Sequence, residues 1–223
     1  MDTIKRAIGA IFDFLQGIVV ILAIMVMIYL FIMSPQEISG ASMEPNFHNG
    51  EYILTNKVEY KFREPNRGDV IIFKSPKNKD VDYIKRIIGK PGDRVMLKEG
   101  TFYVNDVKVD EPYLTPGSYT SAGSFLREGE DIVVPQGHYF AVGDNRGHSS
   151  DSREFGPIPL GDFIGRAFLR YFPVSEAGII PVPTYAIPYA FLLQNIFLGI
   201  LGIILESFYP WRVLGLRILP PEH

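Results

Sequence analysis

The sequence predicts a mainly β domain of antiparallel sheets, with an N-terminal transmembrane helix and a C-terminal hydrophobic membrane segment. Three observations lead there. Phe14 to Met33 carries no charge and one strongly polar residue, Gln16. Between residues 34 and 173, short strand-like runs alternate with turn-forming residues, and no long amphipathic helix interrupts them. From Tyr189 to Leu205 a second uncharged run occurs, with Gln194 and Asn195 in its middle. The chain therefore divides into residues 1–33, a cytoplasmic N-terminus and membrane helix; 34–175, the β domain; and 176–223, an apolar segment with a short basic tail.

The first run is long enough, at ~1.5 Å per residue, to cross a hydrocarbon core of ~30 Å. A cleaved secretory signal is the competing reading, and Ser39-Gly40-Ala41 resembles its cleavage site, but signal cores are shorter, ~7–15 residues. Lys5 and Arg6 precede the run and place its start in the cytoplasm, so that the residues beyond it lie outside. Residues 51–56 and 69–74 read as strands around a polar, proline-containing loop. Residues 82–89 form a third strand, closed by Lys90-Pro91-Gly92-Asp93. Residues 94–98, 101–104 and 107–109 continue as a meander through Glu99-Gly100 and Asn105-Asp106 turns. Residues 115–124 read as a mobile loop, and 131–134, 138–142 and 163–171 as further strands. Past the second apolar run, Phe208, Tyr209 and Trp211 precede Arg212 and Arg217, as at a helix end at a membrane interface. A hairpin lying on the membrane surface is the alternative to a second span.

Composition excludes several function classes. The net charge is −3 with no long basic block, so nothing favours nucleic acid. Cysteine is absent, which removes disulfides, thiolate zinc sites and a cysteine nucleophile.

Three stretches carry possible chemistry. Ser39-Gly40-Ala41-Ser42-Met43-Glu44-Pro45 puts Ser42 among small residues that admit another backbone, with Met43 as an apolar wall. A serine nucleophile needs a base to activate it. Strand 82–89 offers one: alternation sets Tyr83, Lys85 and Ile87 on one face. If that face is buried, desolvation lowers the Lys85 pKa and favours the neutral amine; if it is an edge, Lys85 is an ordinary surface lysine. The third stretch runs from Gly143 to Arg153. There Asp144, Arg146, Asp151 and Arg153 can form ion bridges that stiffen the loop, and Ser149 or Ser150 could orient a lysine amine; standing alone, the stretch also reads as a polar, solvated turn. His148 invites a Ser-His-Asp reading, yet a lysine base needs no histidine.

Taken in order, these stretches resemble a known family. Ser-Gly-Ala-Ser-Met-Glu-Pro, then Arg67-Gly68-Asp69-Val70, then Asp82 to Gly89 with Pro91-Gly92-Asp93, then Gly143-Asp144-Asn145-Arg146 with Ser149 and Asp151-Ser152-Arg153, is similar to the type I bacterial signal peptidases of the S26 type. These are membrane-bound serine proteases with a Ser–Lys dyad. The resemblance covers about residues 38–173. It implies Ser42 as nucleophile, Lys85 as general base and Ser149 as the hydroxyl that orients the lysine. It implies Asp151 and Arg153 as a structural ion pair, with Asp144 and Arg146 as the other charged positions of that box. Gly40, Met43 and Tyr83 would border the substrate and the oxyanion. Some family members keep a serine hydroxyl at the position of Gly40; here backbone N–H groups, that of Ser42 among them, would bind the oxyanion.

The activity implied is removal of signal peptides from secreted preproteins after a small-x-small sequence, with no cofactor and no metal. The implied partners are preproteins, the lipid bilayer and the secretion translocon, with no nucleic acid. The implied place is the cell membrane, with the β domain on the extracytoplasmic side. Eight residues between Met33 and Ser42 read as a linker, spanning at most ~30 Å when extended. Two other readings remain: a soluble Ser–Lys peptidase of the self-cleaving repressor kind, and a membrane-tethered β module that binds an extracytoplasmic partner.

Overall fold

The computed structural model of the chain describes residues 2–183 and Tyr185. The second apolar run and the basic tail lie outside the described residues. Helix α1 (Asp2–Phe31) contains no proline and is rich in unbranched and β-branched aliphatics. Its part from Gly9 to Phe31 is 23 residues long and apolar enough to cross a membrane, and none of it is buried against protein. A helix that is apolar all round and uncovered by protein suits lipid.

Strand β1 (Met33–Glu37) begins one residue after Ile32 and pairs antiparallel with β2 (Tyr52–Asn56), from Met33 opposite Asn56 to Glu37 opposite Tyr52. The expected linker is therefore largely a strand. Its sequence, Met-Ser-Pro-Gln-Glu, lacks alternation, and Pro35 is tolerated because β1 is an edge strand. These two properties hide it from a pattern search.

Strands β3 (Val70–Lys74) and β4 (Asp82–Gly89) form a hairpin. Next come β5 (Arg94–Lys98), β6 (Thr101–Val104), β7 (Val107–Lys108) and β8 (Asp131–Val133), which form a separate four-stranded sheet in the order β7-β6-β5-β8. Its two tight turns hold Glu99-Gly100 and Asn105-Asp106 at positive φ, the backbone that two-residue hairpin turns require. The chain then returns to the larger sheet through β9 (His138–Val142), the single-turn helix α2 (Ser152–Phe155), β10 (Ile158–Pro159), β11 (Phe163–Phe172) and β12 (Gly178–Ile179). The order is β1-β2-β11-β3-β4-β9-β10, with β12 on β11.

The fold class read from the sequence holds for the described residues: antiparallel β sheets behind an N-terminal apolar helix. β3 reads Val-Ile-Ile-Phe-Lys and is buried on both faces. Val70 and Ile72 pack with Met43, Phe47, Ile53 and Ile84. Ile71 and Phe73 pack with Ile87, Tyr139, Ala141 and Ile158. Ile180 also belongs to the first group, so the β domain continues past residue 175.

Candidate active site

The loop between β1 and β2 carries Ser42, and three contacts fix its path. Ile38 N–H donates to the Glu51 carbonyl at 2.8 Å, closing the base of the loop. Met43 is 1% exposed and packs into the core directly after Ser42. Asn145 reaches across from the Gly143–Arg153 stretch. Its N–H donates to the Ser42 carbonyl at 3.0 Å, and its Nδ2 donates to the Ala41 carbonyl at 2.9 Å. Gly40 adopts φ +92°, a left-handed conformation that suits glycine, and its N–H donates to Asn49 Oδ1.

Lys85 projects from the middle of β4, opposite Ile71 of β3. Tyr83 and Ile87, its neighbours on the same strand face, pack against the Ile71 and Phe73 group. The side chain is 3% exposed. Its Nζ lies 2.8 Å from Ser42 Oγ and donates to the Ile84 carbonyl at 2.7 Å. Burial pushes the amine down to about 8, and Arg153 adds to the fall; Asp151 and Asp144 hold it from falling further. A lysine in this range supplies an appreciable neutral fraction near neutral pH. The Ser42 N–H has no hydrogen-bond partner among the described residues and is free to bind a developing oxyanion.

The two groups open into a cleft of about 290 Å³. Its lining includes Gln36 to Ser42 on one side, Asp82 to Lys85 on the other, and His148 and Ser150 at one end. Gly40 and Tyr83 border it as expected. Met43 does not; an unbranched apolar side chain finds its place in the core behind Ser42. His148 is exposed at the rim.

Of the four charged residues from Asp144 to Arg153, two pair with each other. Asp151 and Arg153 form a buried double contact, Nε to Oδ1 at 2.9 Å and an η nitrogen to Oδ2 at 2.8 Å. Burial alone would raise the Asp151 carboxyl; Arg153 and the Gly143 N–H outweigh it and hold the carboxyl low. Asp144 and Arg146 do not pair with each other. Asp144 binds Arg86 through two contacts, at 2.9 and 2.6 Å, and both side chains are buried. Arg146 binds Glu111 and the Thr120 hydroxyl. The sequence reading missed these partners because they lie far along the chain. Arg86, an arginine in a buried strand, was the visible signal. Asn145 was also missed as a site residue, although it stands inside the motif.

Ser149 lies beside Ser42. A Cβ placed on Gly143 would meet Ser149 Oγ at 2.2 Å and the Ser42 carbonyl at 2.4 Å. The Ser149 hydroxyl is buried; it adds slightly to holding Asp151 low but has no partner in hydrogen-bond geometry. The hydrogen bonds of Lys85 go to Ser42 and Ile84.

The family described as signal peptidase, peptidase S26, matches residues 11–172. The chain belongs to that family. A signal peptidase IB of Staphylococcus aureus (strain COL) is 37% identical to this S26 chain over 177 residues, covering 74% of the chain and 92% of the relative. A signal peptidase I of Bacillus caldolyticus is 38% identical over 154 residues, covering 66% and 84%. A crystal structure of a signal peptidase I from Enterococcus faecalis V583 is 31% identical and covers 47% of this chain and 97% of its own, with a TM-score of 0.38. Membership makes this S26 chain a peptidase, and hence a hydrolase, of the signal peptidase I type.

Proposed function

We propose that the chain is a membrane-anchored serine endopeptidase that removes signal peptides from preproteins through a Ser42–Lys85 dyad. The observation that carries this is the 2.8 Å approach of Lys85 Nζ to Ser42 Oγ by a lysine that burial has pushed down to about 8.

The neutral amine accepts the Ser42 proton as Oγ attacks the scissile carbonyl carbon. Negative charge on the carbonyl oxygen falls to the free Ser42 N–H, since Gly40 supplies no side-chain donor. One such donor contributes ~3–4 kcal/mol in a well-characterised serine protease. The C–N bond then breaks, Lys85 returns its proton to the leaving amine, and an ester on Ser42 remains. Lys85 next takes a proton from water as it attacks the ester; the acyl C–O bond to Ser42 breaks, Lys85 returns the proton to Ser42 Oγ, and the acid leaves. The Ile84 carbonyl aims the amine, and Ser149 would orient it further by turning its hydroxyl toward Nζ. Asp151 with Arg153, and Asp144 and Arg146 with their distant partners, hold the loop that grips Ser42. The substrate would lie extended between the segments that contain Gly40 and Tyr83, with both residues of its small-x-small pair on the N-terminal side of the scissile bond.

Lys5 and Arg6, ahead of the apolar part of α1, support a cytoplasmic N-terminus and an extracytoplasmic β domain. The anchor is assigned to residues 1–33, the domain to the residues from 34 through the β12 region, and the C-terminal apolar segment to the residues beyond it, with the bilayer and the secretion translocon as partners. Ser42→Ala tests the reading. Processing of a preprotein in detergent should fall by at least ~10⁴-fold; undiminished cleavage would sink the dyad.

A further inference from the structure

One lateral row of residues crosses the large sheet from the end of α1 to the catalytic lysine. Met33 pairs with Asn56, Asn56 with Arg166, Arg166 with Ile71, and Ile71 with Lys85. At ~4.8 Å per strand, four steps put Lys85 roughly 19 Å to the side of the helix end. The sheet thereby fixes where the dyad stands relative to Met33. It leaves open the direction in which α1 departs from Met33.

That direction is set at Lys57, the residue after β2. Its N–H donates to the Ile32 carbonyl at 2.8 Å. Its ammonium donates to the Tyr29 carbonyl at 3.2 Å, lies 3.5 Å from the Leu30 carbonyl and sits 5.5 Å from the centre of the Tyr29 ring. The last carbonyls of a helix have no partners within it and form the negative end of its dipole. α1 has no basic residue in its own last turn. A half-buried lysine from the sheet takes that place.

The clamp is rooted in the row itself. Asn56 Oδ1 accepts from the N–H groups of Val58 and Glu59 at 3.1 and 3.2 Å, and its Nδ2 donates to Glu59 Oε2. Glu59 binds Arg166, the next residue of the row, and Arg63. Arg63 reaches the buried Asp69, immediately before β3. Lys57 thus follows directly in the chain on a polar network that runs from Asn56 through Glu59 to Arg166, and through Arg63 to Asp69.

We propose that Lys57 is a positioning residue that sets the angle of the anchor helix against the sheet, and so selects which peptide bond of a membrane-inserted substrate reaches Ser42. This rests on the membrane-anchored Ser42–Lys85 reading. A short peptide diffuses to the cleft whatever the helix angle. A preprotein held in the same bilayer does not, because its cleavage site is presented at a fixed height.

The test uses the full chain in phosphatidylcholine vesicles with two substrates. One is a preprotein with an intact apolar segment inserted in the same vesicles and two small-x-small sites a few residues apart. The other is a soluble peptide spanning both sites. Lys57→Ala and Lys57→Met should leave kcat/KM on the peptide unchanged. On the inserted preprotein they should slow cleavage about two- to fivefold, the size of a lost cation at a helix C-terminus, and shift product between the two sites by mass spectrometry. Lys57→Arg, which keeps the donors, should restore rate and site. Wild-type rate and site distribution in Lys57→Ala overturns the proposal, and so does an equal loss on both substrates. If Ser42→Ala still cleaves, or the wild-type chain fails to float with the vesicles, the underlying reading falls and takes the proposal with it; a dead Ser42→Ala beside an unaltered Lys57→Ala sinks the clamp alone.

Discussion

Replacing Lys85 by methionine should make the protein inactive and more stable. The substitution keeps an unbranched chain at a position that is 3% exposed and removes the charge. Folding lowers the amine from 10.5 to about 8, chiefly through burial. At ~1.36 kcal/mol per pH unit, that fall costs the folded state roughly 3.4 kcal/mol wherever the lysine is charged in both states. The variant leaves the Ile84 carbonyl and the Ser42 hydroxyl without this partner, a loss of about 1 kcal/mol for each of the two bonds, so the net gain at pH 7 is about 1 kcal/mol. Between about pH 8 and 10.5 the unfolded chain holds the lysine proton and the folded chain does not. The stability of the wild type therefore rises with pH across that window, and the advantage of the variant disappears and reverses, because the lost hydrogen bonds remain. Urea unfolding of the detergent-solubilised full chain, followed by circular dichroism at pH 7, 9 and 10.5, reads the gap. A variant no more stable than wild type at pH 7, or a gap that stays constant to pH 10.5, would refute the assignment of a buried, desolvated amine.

Two further outcomes concern the loop that grips Ser42. Gly143→Ala sets a Cβ into the Ser42 carbonyl and Ser149 Oγ, so the Ser42 backbone must move; kcat/KM on a peptide substrate should fall ~100-fold, the scale of a 1 Å misplacement, and the fold should lose about 1–3 kcal/mol, the scale of overpacking at a buried position. Asp151→Asn leaves Arg153 buried without its charge partner and should destabilise the fold by about 3–5 kcal/mol in urea titration.

Much of the fold was legible because alternation and turn residues coincide in it. β4, β5, β6 and β9 fall on the residues expected of them, and the Glu99-Gly100 and Asn105-Asp106 turns adopt the backbone their residue types favour. β1 was not legible. An edge strand with a proline, whose inward residues Ser34 and Gln36 are polar, carries no hydrophobic alternation, so it reads as a linker. β10 and β12 are two residues long and leave no pattern at all. In the site, Ser42 and Lys85 could be named in advance because each stands in a distinctive local sequence, whereas their meeting is a property of the sheet. The ion pairs show the limit most plainly. Asp151 and Arg153 are neighbours in sequence and pair as expected. Arg86 and Glu111 come to Asp144 and Arg146 from 58 and 35 residues away, a distance across which charge alone selects no partner.

In the proposed dyad, buried Lys85 activates Ser42 as a neutral amine. The pH dependence of kcat/KM for the full chain on a soluble peptide tests it most directly, because this parameter reports ionisations of the free enzyme. With the amine at about 8, only about a tenth of it is neutral at pH 7 and about nine-tenths at pH 9. The rate should therefore climb close to tenfold over that interval, with its midpoint near pH 8. A profile flat from pH 7 to 9, or one that falls as the pH rises, would contradict the dyad.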